Sequence, residues 1–251
     1  MQAEMTQRDI MFRRFQLHKF KRESMVPTVT MTVNINANQL IELKNKANKI
    51  NSHISHITIT HIITKAVADT LISYPSLYSC FDGKDIIQNS ELVLNIPVDT
   101  ENHVEYITIH NPELKSIWDI ATEFKNELSN IRDGHGKFMS FLQQISVSPA
   151  SSSIDNPIEF LRQHYGNFVI SNLGSFNIDS GSLALSQPMV SGLCLGAIKP
   201  IVRVKAKQFI ETMNLPLTIS FDHRVIDGAY AAKLLKEVKQ LLEKPEGLLA
   251  S

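Results

Sequence analysis

Regular alternation of apolar and polar residues marks the first element of the chain, the segment "TVTMTVNI". Val29, Met31, Val33 and Ile35 alternate there with threonine and asparagine. Successive side chains of a β-strand point to opposite faces, so this pattern predicts a strand with one apolar and one polar face. The segment "LTISF" near the C-terminus alternates in the same way and predicts another such strand.

Apolar residues at helical spacing predict four helices. The first follows the opening strand, with Asn38 available as its cap. The second covers about residues 58–73 and ends there because Pro75 disfavours helical geometry in the residue before it. Ser116 and Asp119 form a capping pair for the third, and "YAAKLLKEVKQLLEK" is the last. The four apolar stripes are Leu40, Leu43, Ala47 and Ile50; Ile62, Ile63, Ala66, Val67 and Leu71; Ile117, Ala121, Phe124, Leu128 and Ile131; and Leu234, Leu235, Val238, Leu241 and Leu242.

Further strands are predicted between these helices, in "ELVLNIPVD", "VEYITIH", "NFVISN", "GLCLGAI" and "IVRVKA". The serine- and proline-rich stretch "SVSPASSSIDNP" predicts an exposed loop over about residues 144–158. Strands and helices are mixed without strict βαβ alternation. The predicted fold class is therefore α/β, with a mixed sheet and helices packed on one face.

The composition narrows the class of protein. The chain has 251 residues, 43% of them apolar, and Lys+Arg and Asp+Glu both number 25. Zero net charge does not favour a nucleic-acid partner, and the basic stretch "RDIMFRRFQLHKFKRES" fits a solvated arm or subunit contact better. Cys80 and Cys194 form no CxxC pair, which indicates buried thiols in a reducing compartment. With neither an apolar leader nor a membrane span in view, we expect a cytoplasmic protein.

Two other kinds of site are disfavoured by the sequence. His53, His56 and His61 lie close together, but no cysteine or well-spaced acid completes a metal site, so we expect a solvated helix entrance and no bound metal. Glycine-rich nucleotide-binding loops are also missing from the sequence.

The segment "LTISFDHRVIDGAY" carries the strongest chemical signal. His223 is in phase with Leu217, Ile219 and Phe221, so we expect it partly desolvated at the inner end of a strand. An imidazole, with an ordinary pKa of about 6.5, is suited to take a proton from a thiol of pKa about 8.5. The motif therefore suggests a general base.

Asp227 follows the histidine by four residues and is expected to fix the turn, through Arg224 or another arginine, rather than to contact substrate. Gly228 permits either unusual backbone geometry or close packing against the strand. A histidine four residues before an aspartate also occurs in many proteins in which the histidine is only structural. The spacing alone therefore does not assign catalysis.

The segment "FDHRVIDGA" closely resembles the active-site signature of the dihydrolipoyl acyltransferase catalytic domain of 2-oxo acid dehydrogenase complexes, whose fold is shared by chloramphenicol acetyltransferase. "FVISNLGSFNIDS" and "SQPMVSGLCLGAIKP" resemble two further family segments, and "VPTVTMTVNINANQLIELK" and "ITITHIITKAVADTLISYPSL" resemble its N-terminal elements. The resemblance implies a two-layer domain over residues 12–251, preceded by an arm at residues 1–11.

The resemblance also implies roles for individual residues. His223 corresponds to the general base and Ser171 to the hydroxyl that hydrogen-bonds the oxyanion. Asp227 corresponds to the carboxylate that fixes the loop, and Arg13 aligns with the family arginine that pairs with it. Acyl transfer is direct in this family, with no acyl-enzyme. Its members form trimers with the site between subunits, so we expect a homotrimer or a multiple of trimers in which His223 and Ser171 come from different chains.

The resemblance further implies coenzyme A as a substrate, with residues for binding it unassigned. The chain begins almost directly at the catalytic domain, so we expect no lipoyl group on it and an acyl group that arrives on free coenzyme A or a separate carrier. The stretch before Ser171 is longer than in dehydrogenase members, which suggests a changed acceptor.

Two alternatives to this assignment stay open at this point, and a third is disfavoured. One is an O-acetyltransferase of small molecules that resembles the chloramphenicol enzyme, and another is a non-catalytic subunit that builds an oligomeric core. A hydrolase triad of Ser171, His223 and Asp227 is disfavoured because no Gly-x-Ser-x-Gly elbow surrounds the serine.

Overall fold

The computed structural model describes residues 25–50, 55–100, 103–147 and 166–249, together with a few positions between 7 and 20. Arg13, His18, His53 and the expected loop beyond residue 147 lie outside these residues. The strands within them are β1 Thr28–Asn36, β2 Cys80–Phe81, β3 Ile86–Ile87, β4 Val93–Asp99, β5 Val104–His110, β6 Phe168–Asn172, β7 Ser191–Leu195, β8 Lys199–Lys205 and β9 Gln208–Asp222. The helices are α1 Asn38–Ile50, α2 Ile59–Leu71, α3 Ile117–Arg132, α4 Lys137–Val147 and α5 Gly228–Glu243.

One mixed sheet organises the described residues. Its strands lie in the order β1-β9-β7-β6-β4-β5, and β8 pairs with the first half of β9. The β4–β6 and β6–β7 pairs are parallel. Strands β1, β7 and β8 run antiparallel to β9, and β5 runs antiparallel to β4. The short strands β2 and β3 form a separate hairpin. The predicted α/β class with a mixed sheet is confirmed.

The alternation read from the sequence decides which face of the sheet is apolar. In β9, Leu217, Ile219 and Phe221 are fully buried in the main core, and Thr218 and Ser220 point to the other face. Helices α1, α2, α3 and α5 contribute their apolar residues to this same core. The predicted packing of these helices on one face therefore holds.

Helix α4 was not predicted, and it packs on the opposite face. Phe138, Met139 and Leu142 form a second cluster with Val169, whose strand neighbours Phe168 and Ile170 face the main core. The buried Glu105 carboxylate accepts a hydrogen bond from Met139 N at 3.2 Å, at the first turn of α4. A Cβ on Gly136 would lie 2.3 Å from that carboxylate, so glycine is needed at this approach.

Several local predictions can be compared with the structure. Ser116 and Asp119 form the expected reciprocal cap of α3, and Thr58 caps α2. Asn38 does not cap α1; its Oδ1 accepts from Met213 N instead and ties the helix to β9. The loop expected from about residue 144 starts later, because α4 continues to Val147.

No described helix combines the length and the apolar character that crossing a bilayer requires.

Candidate functional site

Ser171 lies on β6 and points to the face of the sheet opposite the main core. Its neighbours Phe168 and Ile170 are buried on the helix side, and Ser171 itself is half-buried. Within the described residues its hydroxyl has no hydrogen-bond partner, so it is free to donate to a ligand. The adjacent Asn172 holds the following turn, since its Oδ1 accepts from Ser175 N at 3.2 Å and its Nδ2 donates to Thr60 Oγ1 at 2.9 Å.

A row of small polar side chains runs across the sheet from Ser171. Cys194 is its register partner on β7, Thr218 pairs with Cys194 on β9, and Thr32 pairs with Thr218 on β1. The two threonine hydroxyls are 2.8 Å apart. Burial raises the pKa of the Cys194 thiol, which keeps it protonated and poorly nucleophilic at neutral pH. Cys194 and Thr218 are buried, whereas Ser171 is half-buried and Thr32 exposed, so the row reaches solvent at its two ends.

His223 follows β9 directly, at the end of the strand. Its ring packs against the edge of the Phe221 ring, with 5.9 Å between centroids, and its backbone N–H donates to Pro27 O at 3.2 Å. The in-phase arrangement with Phe221 was predicted. The expected partial burial was not found, because His223 is exposed in the single chain.

The residues around His223 differ from the expectation in one pairing. Arg224 forms a bidentate pair with Asp222, with Nη2–Oδ2 at 2.8 Å and Nε–Oδ1 at 3.0 Å, and not with Asp227. The reason is local: Arg224 N also donates to Asp222 Oδ1 at 2.9 Å, so the turn after β9 brings the guanidinium back to this carboxylate. Asp227 instead provides the N-cap position of α5, where its carbonyl accepts from Tyr230 N and Ala231 N. Its expected partner Arg13 lies outside the described residues.

Gly228 begins α5 with close packing rather than unusual backbone geometry. A Cβ at this position would approach Met31 Cε to 2.9 Å. The first turn of α5 therefore lies directly over β1, next to the turn that carries His223.

Sheet register separates the two predicted catalytic residues within one chain. Ser171 is level with Thr218 across β7, and His223 lies five residues beyond Thr218. Five residues of strand span roughly 17 Å, and two strand spacings add about 10 Å laterally. Both groups must approach within about 3 Å of the reacting atoms, so one chain does not bring them together on one substrate.

Within the described ranges, which leave out His53, no group of three His, Cys, Asp or Glu side chains is placed to hold a metal ion. His61 is buried rather than solvated, and its Nδ1 accepts from Thr58 N at 3.2 Å as part of the helix cap. Burial, with a smaller contribution from the nearby His56, lowers the pKa of His61 to about 4.

The chain matches the family described as 2-oxoacid dehydrogenases acyltransferase (catalytic domain) over residues 6–144 and 155–250. It belongs to this family. The resemblance identified from the segments around Ser171 and His223 is thereby confirmed. Both residues lie within the matched range 155–250.

Relatives and solved structures agree with the family. The acetyltransferase component of the pyruvate dehydrogenase complex from Zymomonas mobilis is 27% identical over 90% of this chain and 46% of its own length. The cubic core of a pyruvate dehydrogenase multienzyme complex superposes with a TM-score of 0.77 at 21% identity, over 99% of this chain and 93% of that one. The chain spans about half the length of the curated relatives it matches.

A third similar protein, dihydrolipoamide acetyltransferase from Azotobacter vinelandii, has been studied for the catalytic role of one serine, one histidine and one asparagine. It superposes with a TM-score of 0.76 at 21% identity, over 99% of this chain and 93% of its own. These likenesses confirm the fold of an acyltransferase catalytic core.

Asp222 was not identified as a site residue from the sequence. The motif pairs the histidine with the carboxylate four residues after it, and the predicted strand "LTISF" ends at Phe221, before Asp222. The signal for the pair is an aspartate two residues before an arginine at the start of a turn, because such a carboxylate can accept the backbone N–H two residues on.

Proposed function

We propose that this chain transfers an acyl group between coenzyme A and a thiol acceptor of the dihydrolipoamide type. The observation that carries the proposal is the 52-residue separation of Ser171 and His223. The serine and histidine studied in the Azotobacter enzyme are separated by the same number of residues, and its asparagine stands where Asp227 follows His223.

The chemistry follows from the two side chains. The imidazole of His223 takes the proton of the acceptor thiol, and the resulting thiolate attacks the carbonyl carbon of the acyl-coenzyme A thioester. The oxyanion that forms accepts a hydrogen bond from the Ser171 hydroxyl, which lowers the barrier by about 3 kcal/mol. Collapse of this intermediate expels the coenzyme A thiolate, which takes the proton back from the imidazolium. Neither a metal nor an acyl-enzyme is needed for these steps.

We further propose a homotrimer, or a multiple of trimers, with His223 of one protomer facing Ser171 of the next. The separation of the two residues within a chain supports a site shared by two chains. The β8–β9 hairpin supports self-association, since Val202, Val204 and Phe209 are 66%, 70% and 82% exposed. Register places these three side chains on one face of the hairpin. Apolar exposure of this kind marks a protein-contact surface.

The activity is tested with acetyl-coenzyme A and a panel of acceptors, following the release of free thiol or of acetylated product. Turnover with dihydrolipoamide is expected to exceed turnover with hydroxyl or amine acceptors. His223→Ala should lower kcat about 10³-fold and Ser171→Ala about 10²-fold. Acetylation of a hydroxyl acceptor alone would favour a small-molecule acetyltransferase, and binding of coenzyme A without turnover would favour a structural subunit.

The shared site is tested by co-expressing His223→Ala and Ser171→Ala chains. Each variant alone is nearly inactive, but mixed assemblies contain some sites that pair an intact histidine with an intact serine. With random mixing, about a quarter of the sites are intact, so roughly a quarter of the wild-type activity should return. Mixtures that stay as inactive as the separate variants would contradict a site built by two chains.

The contact surface is tested with Phe209→Asp. The charge on the apolar face of the hairpin should dissociate the assembly, and native mass spectrometry would show protomers of 28.3 kDa. Gln208→Asp, on the neighbouring exposed position, is the matched control for the added charge. An unchanged mass for Phe209→Asp would exclude this hairpin from the subunit interface.

A further inference from the structure

The turn that carries His223 is held by an unbroken series of backbone hydrogen bonds. Asp222 N donates to Val190 O at 2.8 Å and His223 N to Pro27 O at 3.2 Å. Arg224 N then donates to the Asp222 carboxylate at 2.9 Å. Val225 N and Ile226 N both donate to Asp222 O, at 3.1 and 2.9 Å. Of these five consecutive N–H groups, three are therefore bound by Asp222 itself.

The side chains of Asp222 and Arg224 also hold the turn, through an ion pair between the carboxylate and the guanidinium. Asp222 is fully buried, and its two oxygens accept from Nε and Nη2 of Arg224 in addition to the backbone N–H. Arg224 keeps 37% of its side-chain surface exposed, and its guanidinium lies over the Phe81 ring, 4.7 Å from the centroid. His223 is thus flanked in sequence by two residues whose side chains form a hydrogen-bonded ion pair.

Phe81 connects this pair to a separate part of the fold. It belongs to β2, and its backbone N–H donates to Pro188 O at 2.9 Å. Val190, two residues further, accepts the hydrogen bond from Asp222 N. The ring that covers Arg224 and the strand that holds Asp222 are therefore anchored on the same short segment, residues 188–190.

We propose that Asp222 and Arg224, covered by Phe81, are positioning residues that orient the imidazole of His223 for proton transfer. This rests on the general-base role proposed for His223. Neither residue touches the reacting atoms: they restrict the backbone on both sides of the histidine, while Phe221 limits its ring. A base held within a narrow range of orientations meets the thiol proton in a productive geometry more often, so the effect falls on kcat.

The test compares four variants of the full chain: Arg224→Met, Arg224→Lys, Asp222→Asn and Phe81→Leu. Arg224→Met is expected to lower kcat 10- to 50-fold, with KM for acetyl-coenzyme A changed less than threefold. Arg224→Lys keeps the charge without the fork and should restore part of the loss, and Phe81→Leu should cost about threefold. Arg132→Met, an exposed arginine at the end of α3, is the matched control and should leave kcat unchanged.

A second measurement reports on the turn without using activity. Hydrogen–deuterium exchange should show faster exchange in the peptide containing residues 222–226 of Arg224→Met, and unchanged exchange in peptides from α2. Asp222→Asn leaves Arg224 without its anion and tests the pair from the other side, provided that its melting temperature and assembly mass match the wild type. A double variant that combines Asp222→Asn with Arg224→Met should lose no more kcat than the worse single variant, because the two residues act together.

The outcomes separate the two proposals. A wild-type protein without acyl transfer would refute the proposed function, and the exchange measurement would still decide whether the pair holds the turn. An active wild type with Arg224→Met at full kcat would overturn the positioning role. So would a loss of activity matched by an equal loss of folded, assembled protein, since a purely structural role predicts that result.

Discussion

The two faces of the sheet differ in what they contribute to the protein. On one face Leu217, Ile219 and Phe221 are sealed by helices into a single apolar core. On the other, Ser171, Cys194, Thr218 and Thr32 form a row of polar groups across β6, β7, β9 and β1. Cys194 and Thr218 in the middle of the row are buried, Ser171 is half-buried and Thr32 is exposed. Successive residues of β9 therefore belong to the apolar core and to the polar row in turn.

The largest expected effect on stability comes from Leu217 on β9, and its neighbour Thr218 serves as the comparison. Leu217→Ala should lower the free energy of unfolding by about 2–5 kcal/mol, because it removes a fully buried side chain and leaves a cavity. Denaturant unfolding at a fixed protomer concentration measures it, since assembly also contributes to stability. If Leu217→Ala and Thr218→Val cost the same, the division between the two faces would be wrong.

A pH effect comes next, and it arises on the helix-covered side. The pKa of His61 is lowered to about 4 in the folded chain, where the ring is buried against Phe124. Between pH 6.5 and 4 the unfolded chain binds this proton and the folded chain does not. Stability is thus complete above about pH 6.5 and falls as the pH falls toward 4, by up to about 3 kcal/mol.

His61→Gln is the variant that isolates this contribution. Glutamine at the third position of a helix can accept from the N-cap backbone as His61 Nδ1 does, so the cap is retained. Thermal unfolding between pH 4 and 7 should show a flatter dependence for the variant than for the wild type. Parallel curves for the two proteins would mean that another group causes the acid sensitivity.

The smallest expected effect concerns the polar row. Thr218→Val removes the hydroxyl that lies 2.8 Å from Thr32 Oγ1, and the exposed Thr32 can bond water instead. A cost of about 1 kcal/mol or less is expected in denaturant unfolding. A loss above 2 kcal/mol would show that the row stabilises the fold as strongly as part of the core does.

Much of the fold was predictable from local patterns. Alternation in "TVTMTVNI" and "LTISF" identified β1 and the end of β9 and assigned their faces, because the two-residue period of a strand is independent of its partners. The third helix was identified with its reciprocal Ser116–Asp119 cap because both capping residues lie within one turn of each other in the sequence.

The missed elements depend on distant contacts. Six of the eleven residues of helix α4 are apolar, but the residues against which it is held, Glu105 and Val169, belong to β5 and β6 elsewhere in the chain. The capping role expected of Asn38 was wrong because Met213, 175 residues away, takes its oxygen. Neither competitor can be seen within a local window of sequence.

The sequence by itself indicated the strands of the main sheet, helices α1, α2, α3 and α5, the family, and Ser171 and His223 as candidate site residues, since periodicity and short motifs are properties of residues close together in the chain. Only the tertiary structure decided that Arg224 pairs with Asp222, that Phe81 covers it, and that sheet register keeps Ser171 and His223 far apart within one chain. These facts depend on strand order and on contacts between residues distant in the chain. Such contacts are set by the packing of the whole domain, which no single segment encodes.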